Sequence, residues 1–193
     1  MVSIKNLYRA FFASLTIVVW LLFAFTSLEA KELPVGFINI PNVSVITQDG
    51  KPVRFYKDLI KDKVVAINFI YTSCELSCPL SGFYFGQLYD SLGNRAGKDV
   101  HLISITIDPV KDTPERLNEW SQAFGAGEGW TQVTGTKTDI DALLKSLQAF
   151  SPDISDHSTF VLLGHERIGD WKRLDGISSA VVLHTELEKW LNN

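Results

Sequence analysis

The two cysteines of the chain, Cys74 and Cys78, stand four residues apart in Tyr71-Thr72-Ser73-Cys74-Glu75-Leu76-Ser77-Cys78-Pro79. Two thiols at this spacing offer three kinds of chemistry: a disulfide, a redox pair for thiol exchange, or two sulfur ligands for a soft metal. On a helix, positions i and i+4 share one face, so both sulfurs reach one ion. A thiol at a helix entrance meets unsatisfied N–H groups and the positive end of the dipole, which favours a thiolate at Cys74. A disulfide across i and i+4 closes a very short loop and stabilises little. A third donor, His157 in Asp156-His157-Ser158, lies 79 residues beyond Cys78. Two sulfurs and an imidazole suit copper, because sulfur holds Cu(I) and the nitrogen helps when the ion is Cu(II). A closed zinc site usually needs a fourth ligand, and none is evident nearby in sequence.

The elements around these residues must bring His157 to the cysteines. Val43–Thr47 and Val53–Phe55 flank Gln48-Asp49-Gly50-Lys51-Pro52, whose Asp-Gly pair predicts a hairpin. Tyr56–Ile60 reads as one short helical turn. Lys63–Ile70 is apolar and rich in β-branched residues, as a strand covered on both faces should be. The cysteine junction follows, then a helix over Leu80–Leu92 ended by Gly93-Asn94. Val100–Ile107 is a second buried strand. Thr113 caps a helix that has Pro114 at its first position and Glu115 in its first turn, and that runs to about Phe124. Trp130–Thr134 is a strand. Thr138 or Asp139 caps the next helix, which ends near Phe150. Thr159–Leu163 and Ile168–Leu174 pair as strands around a turn at Gly164, and Ser178–Leu191 is the last helix. This order predicts an α/β domain of thioredoxin-like type: a central mixed sheet with helices on both faces and an N-terminal β-hairpin. In such a fold the loop carrying His157 lies against the cysteine junction. His101, His165 and His184 read as surface or strand-edge residues, Asp108 as a strand stop, and Glu75 as a solvated side chain.

The N-terminus differs in kind. Lys5 and Arg9 precede an uncharged apolar run of 19 residues, Ala10–Leu28. As a helix it would cover ~28 Å, about the thickness of a bilayer core. Residues 1–30 are therefore expected to be a signal peptide or a single transmembrane anchor, with the membrane contacted through residues 10–28 if uncleaved. The basic flank keeps the N-terminus in the cytoplasm and puts the body on the periplasmic side of the inner membrane. Residues 31–42 read as a linker broken by Pro34, Gly36 and Pro41, and 43–193 as the folded domain. From Lys31 onward 16 basic residues face 21 acidic ones, a net charge of −5 without a basic cluster, which argues against nucleic acid as a partner.

Several motifs occur in one consistent order. They are Thr72-x-Cys74-x-x-x-Cys78-Pro79, Ser104-Ile105-x-Ile107-Asp108-Pro109-x-x-Asp112-Thr113-Pro114, Thr134-Gly135 and Asp156-His157-Ser158. Together they resemble the Sco/SenC family from about Val43 to the C-terminus. The resemblance implies a membrane-tethered, thioredoxin-like copper protein with Cys74, Cys78 and His157 as copper ligands. It also implies a role in assembling the binuclear copper centre of cytochrome c oxidase, by delivering copper, by reducing cysteines, or both. The expected partner is then the copper-receiving subunit of a respiratory oxidase or a related copper enzyme. Two features depart from the family pattern. Glu75 replaces the proline that commonly follows the first cysteine, and only Ser151–Ser155 separates the helix ending at Phe150 from Asp156. Two other readings stay open on the residues alone: a periplasmic thiol–disulfide oxidoreductase using Cys74 and Cys78 as its redox pair without copper, and a copper or redox sensor. The C-x-x-x-C spacing argues against the first, because dedicated oxidoreductases of this fold mostly use C-x-x-C.

Overall fold

The computed structural model describes residues 39–75 and 77–192. The expected signal or anchor at 1–30 and the linker up to residue 38 lie outside the described residues. Strand β3, Val64–Ile70, is buried along its whole length. It is the middle of the structure because its side chains serve two cores. Val65, Ile67 and Phe69 join one, while Val64, Ala66 and Ile70 join the other. On one side β3 pairs in parallel with β4, Val100–Thr106, and on the other it pairs antiparallel with β6, Phe160–His165. β4 continues in parallel to β5, Trp130–Thr134. An antiparallel hairpin of β1, Ser44–Thr47, and β2, Pro52–Arg54, closes that flank. β7, Asp170–Asp175, forms the other edge, so the sheet runs β2-β1-β5-β4-β3-β6-β7.

The thioredoxin-like expectation holds: a mixed sheet carries helices on both faces. Helices α1, Ser77–Leu92, α2, Pro114–Ala123, and α4, Ala180–Leu191, bury Phe85, Leu88, Leu117, Trp120, Leu183 and Leu187 in one core with Trp130. α3, Lys137–Ser146, and the helical turn Phe55–Ile60 bury Ile140, Leu143, Leu144, Phe55 and Ile60 in the other. Ile40 is buried in this second core too, and Asn42 accepts a hydrogen bond from the Lys57 backbone at 3.1 Å. The packed chain thus includes the last residues of the segment read as linker.

Three local readings shift. α1 begins at Ser77 rather than Leu80, so Cys78 is inside its first turn. The cap of α3 is Thr136, whose hydroxyl accepts from the Asp139 backbone at 3.1 Å, and the helix stops at Ser146 because Gln148 takes a left-handed backbone (φ 57°). Gly164 lies inside β6 and is no turn: the Trp171 ring packs where its Cβ would be, 2.4 Å from the nearest ring atom. The reversal comes later, at Glu166–Ile168, with Gly169 in the left-handed conformation that favours glycine.

Candidate metal centre

The candidate donors stand at the end of the sheet where β3 and β4 finish. β3 ends at Ile70, whose carbonyl accepts from the Ile107 backbone at 2.8 Å, and the chain then turns through Tyr71–Glu75 into α1. The Cys74 N–H donates to the Tyr71 carbonyl at 3.2 Å, closing this turn. The Cys78 N–H, in the first turn of α1, donates to the Cys74 sulfur at 3.3 Å, and the Ser77 hydroxyl lies 3.8 Å from it. The helix start thus points one backbone N–H at the Cys74 sulfur, as the sequence suggests.

A buried carboxylate fixes the turn. Asp112 is fully buried and accepts from the Thr72 N–H at 3.2 Å, the Thr72 hydroxyl at 2.6 Å and the Thr106 hydroxyl at 2.5 Å. The Thr106 oxygen in turn accepts from the Asp108 N–H at 3.0 Å. The motif residues Thr72, Asp108 and Asp112 therefore meet in one network that anchors the loop before Cys74. Asp112→Ala leaves three donors without their acceptor. Hydrogen bonds to a charged group are each worth about 1.5–3 kcal/mol, so a loss of about 2–4 kcal/mol is expected after partial rescue by water. Urea unfolding checks this: the midpoint should fall markedly for Asp112→Ala and by less for Asp112→Asn. An unchanged midpoint in both would show that the carboxylate does not hold the loop.

The cysteines differ in environment. Both stand as thiols; Cys74 is half-buried and Cys78 is only 1% exposed. Burial pushes the Cys78 thiol up from 9.0 to about 12, with its hydrogen bond to Cys74 adding to the effect. Tyr71 is likewise raised to about 12, first by its hydrogen bond to Cys74 and then by burial.

His157 arrives from the opposite loop on a short built turn. The Asp153 carboxylate accepts from the backbone and hydroxyl of Ser155, at 2.9 and 2.8 Å, and Ile154 packs on the core beside α3. Those same bonds hold the Asp153 carboxyl below its usual range. The turn Ile154–Asp156 ends on His157, whose Nδ1 lies 2.8 Å from the Ile154 carbonyl. A carbonyl only accepts, so Nδ1 carries a proton and Nε2 of the neutral ring keeps its lone pair for a metal. The imidazole stands perpendicular to the Tyr71 ring, with centroids 5.4 Å apart.

Cys74 and His157 both meet Tyr71, and Cys78 follows in the first turn of α1. They do not converge on a single point: among the described residues no three His, Cys, Asp or Glu side chains are gathered closely enough to hold a metal ion. The other histidines stay away from this end. His101 pairs across from Val65 in the first half of β4, His165 closes β6, and His184 on α4 contacts Ser91 and Glu188. Glu75 is exposed. Sequence pattern gives Tyr71 and Asp112 no role: Asp112 stands within a motif and Tyr71 directly before one, and the contacts that give them meaning are long-range.

The sequence profile described as SCO1/SenC matches residues 41–190. The chain belongs to the SCO1/SenC family. A Bacillus subtilis relative, a SCO1 protein homolog, is 31% identical over 126 residues, 61% of this chain and 64% of its own length. A Stutzerimonas stutzeri protein named for copper binding is 27% identical over 108 residues, 56% of this chain and 51% of its own. The chain thus spans between half and two-thirds of these two curated relatives. Among solved structures, a SCO1/SenC family lipoprotein from Bacillus anthracis superposes with a TM-score of 0.67 at 25% identity, covering 83% of this chain and 97% of that one. In this chain Asp112 holds Thr72, and Tyr71 meets His157, at the end of the sheet that carries Cys74. No helix among the described residues is long and apolar enough to cross a membrane.

Proposed function

We propose that this SCO1/SenC protein binds copper through Cys74, Cys78 and His157. It passes the ion to a copper-receiving subunit of a respiratory oxidase, or of a related copper enzyme, on the periplasmic side of the inner membrane. The observation that carries this reading is the 2.8 Å contact of the His157 Nδ1 with the Ile154 carbonyl. It commits Nδ1 to that carbonyl, which leaves Nε2 as a donor beside a turn bearing two thiols. The donor set fits the cargo, with two soft sulfurs for Cu(I) and one imidazole for Cu(II). A relative named for copper binding and another that is a lipoprotein support copper and a membrane tether respectively. Residues 1–30 supply export or anchoring in this chain, and 43–193 the copper-binding body.

Reduction of a client's cysteines by the same pair would begin at Cys74, whose sulfur accepts the Cys78 N–H at the start of α1, with the buried Cys78 closing the disulfide. Metal binding displaces the proton that burial holds on Cys78.

The test is a titration of the full chain with Cu(I) and Cu(II) under a competing chelator, followed by mixing with a copper-free oxidase subunit. One copper per chain and its appearance in the oxidase are expected. A chain that binds no copper refutes the reading; tight binding without transfer would make it a store or sensor.

A further inference from the structure

Tyr71 links the cysteine turn to the histidine loop. Its carbonyl accepts the Cys74 N–H at 3.2 Å, and the Cys74 thiol is the first cause of its raised hydroxyl. Its ring meets the His157 imidazole at 86°, with centroids 5.4 Å apart. The side chain is itself held, because it packs against the cores on both faces of the sheet. It stands directly after β3, the strand paired on both edges, so its backbone has little freedom.

We propose that Tyr71 is the positioning residue of this centre, holding the His157 imidazole and the Cys74 turn together at the end of β3 before copper arrives. The inference rests on the copper reading above and deepens it. It divides the work of the residue in two. The ring fixes where the imidazole stands, edge to face against Tyr71. The hydroxyl orients the Cys74 sulfur. A partner that orders a metal ligand from outside the coordination sphere is typically worth 10- to 100-fold in affinity. The ring should carry most of that here, because His157 comes from a distant loop, whereas the Cys74 turn is also held by Asp112 through Thr72.

Two variants of the full chain separate these parts. Tyr71→Phe keeps the ring and the backbone but removes the hydroxyl. Tyr71→Leu fills the same seam between the cores without an aromatic face, which protects folding. Without copper, the His157 ring in 15N NMR should show the Nδ1–H tautomer in the native chain and in Tyr71→Phe. Tyr71→Leu should show a mixture. With copper, Tyr71→Leu should lose ~10- to 100-fold in Cu(II) affinity. Tyr71→Phe should lose less than about tenfold and shift the sulfur-to-Cu(II) charge-transfer band. In a His157→Ala background the extra loss from Tyr71→Leu should shrink to that of Tyr71→Phe, as expected of a residue acting through the imidazole.

A native tautomer and native affinity in Tyr71→Leu would overturn the proposal. So would a loss of equal size with and without His157, which would mark a general packing effect. The copper-free tautomer keeps the two readings apart. A native chain that shows the ordered tautomer but binds no copper refutes the copper function while leaving the positioning of His157 intact.

Discussion

A chain carrying Cys78→Ala is expected to bind copper far more weakly in both oxidation states, whereas His157→Ala should lose Cu(II) affinity far more than Cu(I). Sulfur is the donor both ions share, and the imidazole is the donor that the harder Cu(II) needs. Binding energies of about 10–16 kcal/mol for four-ligand thiolate and imidazole sites correspond to about 3 kcal/mol per ligand, or roughly 100- to 1,000-fold in affinity. Cys74→Ala should match Cys78→Ala, because the two sulfurs lie at one turn linked by the Cys78 N–H and the Cys74 sulfur. The side chains removed are small, so folding should survive. Cys78 sits in the core with Phe85 and Leu88, and shortening it to alanine removes one sulfur atom from that packing. Chelator competition with Cu(I) and Cu(II) reads the effect, and circular dichroism checks the fold. If His157→Ala binds Cu(II) as tightly as the native chain, the imidazole is not a ligand and the three-donor centre is wrong.

How far the sequence reaches this centre depends on the range of the contacts involved. The strand–cysteine–helix junction is legible because its signals are local. An apolar run ends at Ile70, helical spacing begins a few residues later, and Thr113-Pro114-Glu115 marks a helix start as plainly as any residues can. The α3 cap is not fixed by sequence, because Thr136, Thr138 and Asp139 all suit a cap, and only the folded chain shows which hydroxyl faces the free N–H groups. Gly164 reads as a turn because glycine usually punctuates. It is in fact a clearance for the Trp171 ring on the neighbouring strand. Asp112 and Tyr71 escape a linear reading for the same reason. Asp112 acts on Thr72, 40 residues away, and Tyr71 meets His157 across the β3–β6 pair. Residues whose work is to hold others leave little mark on local pattern, even where the residues they hold are conspicuous.

Copper affinity should rise with pH, by roughly tenfold per unit for each proton that binding expels. The sign follows from Cys78. Its thiol is raised from 9.0 to about 12 by burial, so it is protonated throughout the neutral range, while the metal binds the thiolate. Copper must therefore displace that proton, and raising the pH lowers the cost of doing so until about pH 12, where the thiol ionises by itself. Between about pH 6 and 8.5 the Cu(I) constant should climb by two orders of magnitude or more from this group alone. Cys78→Ala should reduce the slope by about one proton, which isolates the contribution. A flat profile in the native chain would mean that Cys78 is already ionised or is not a ligand. A steep copper profile that loses about one proton in Cys78→Ala is thus the signature expected of a buried thiol that serves as a copper ligand.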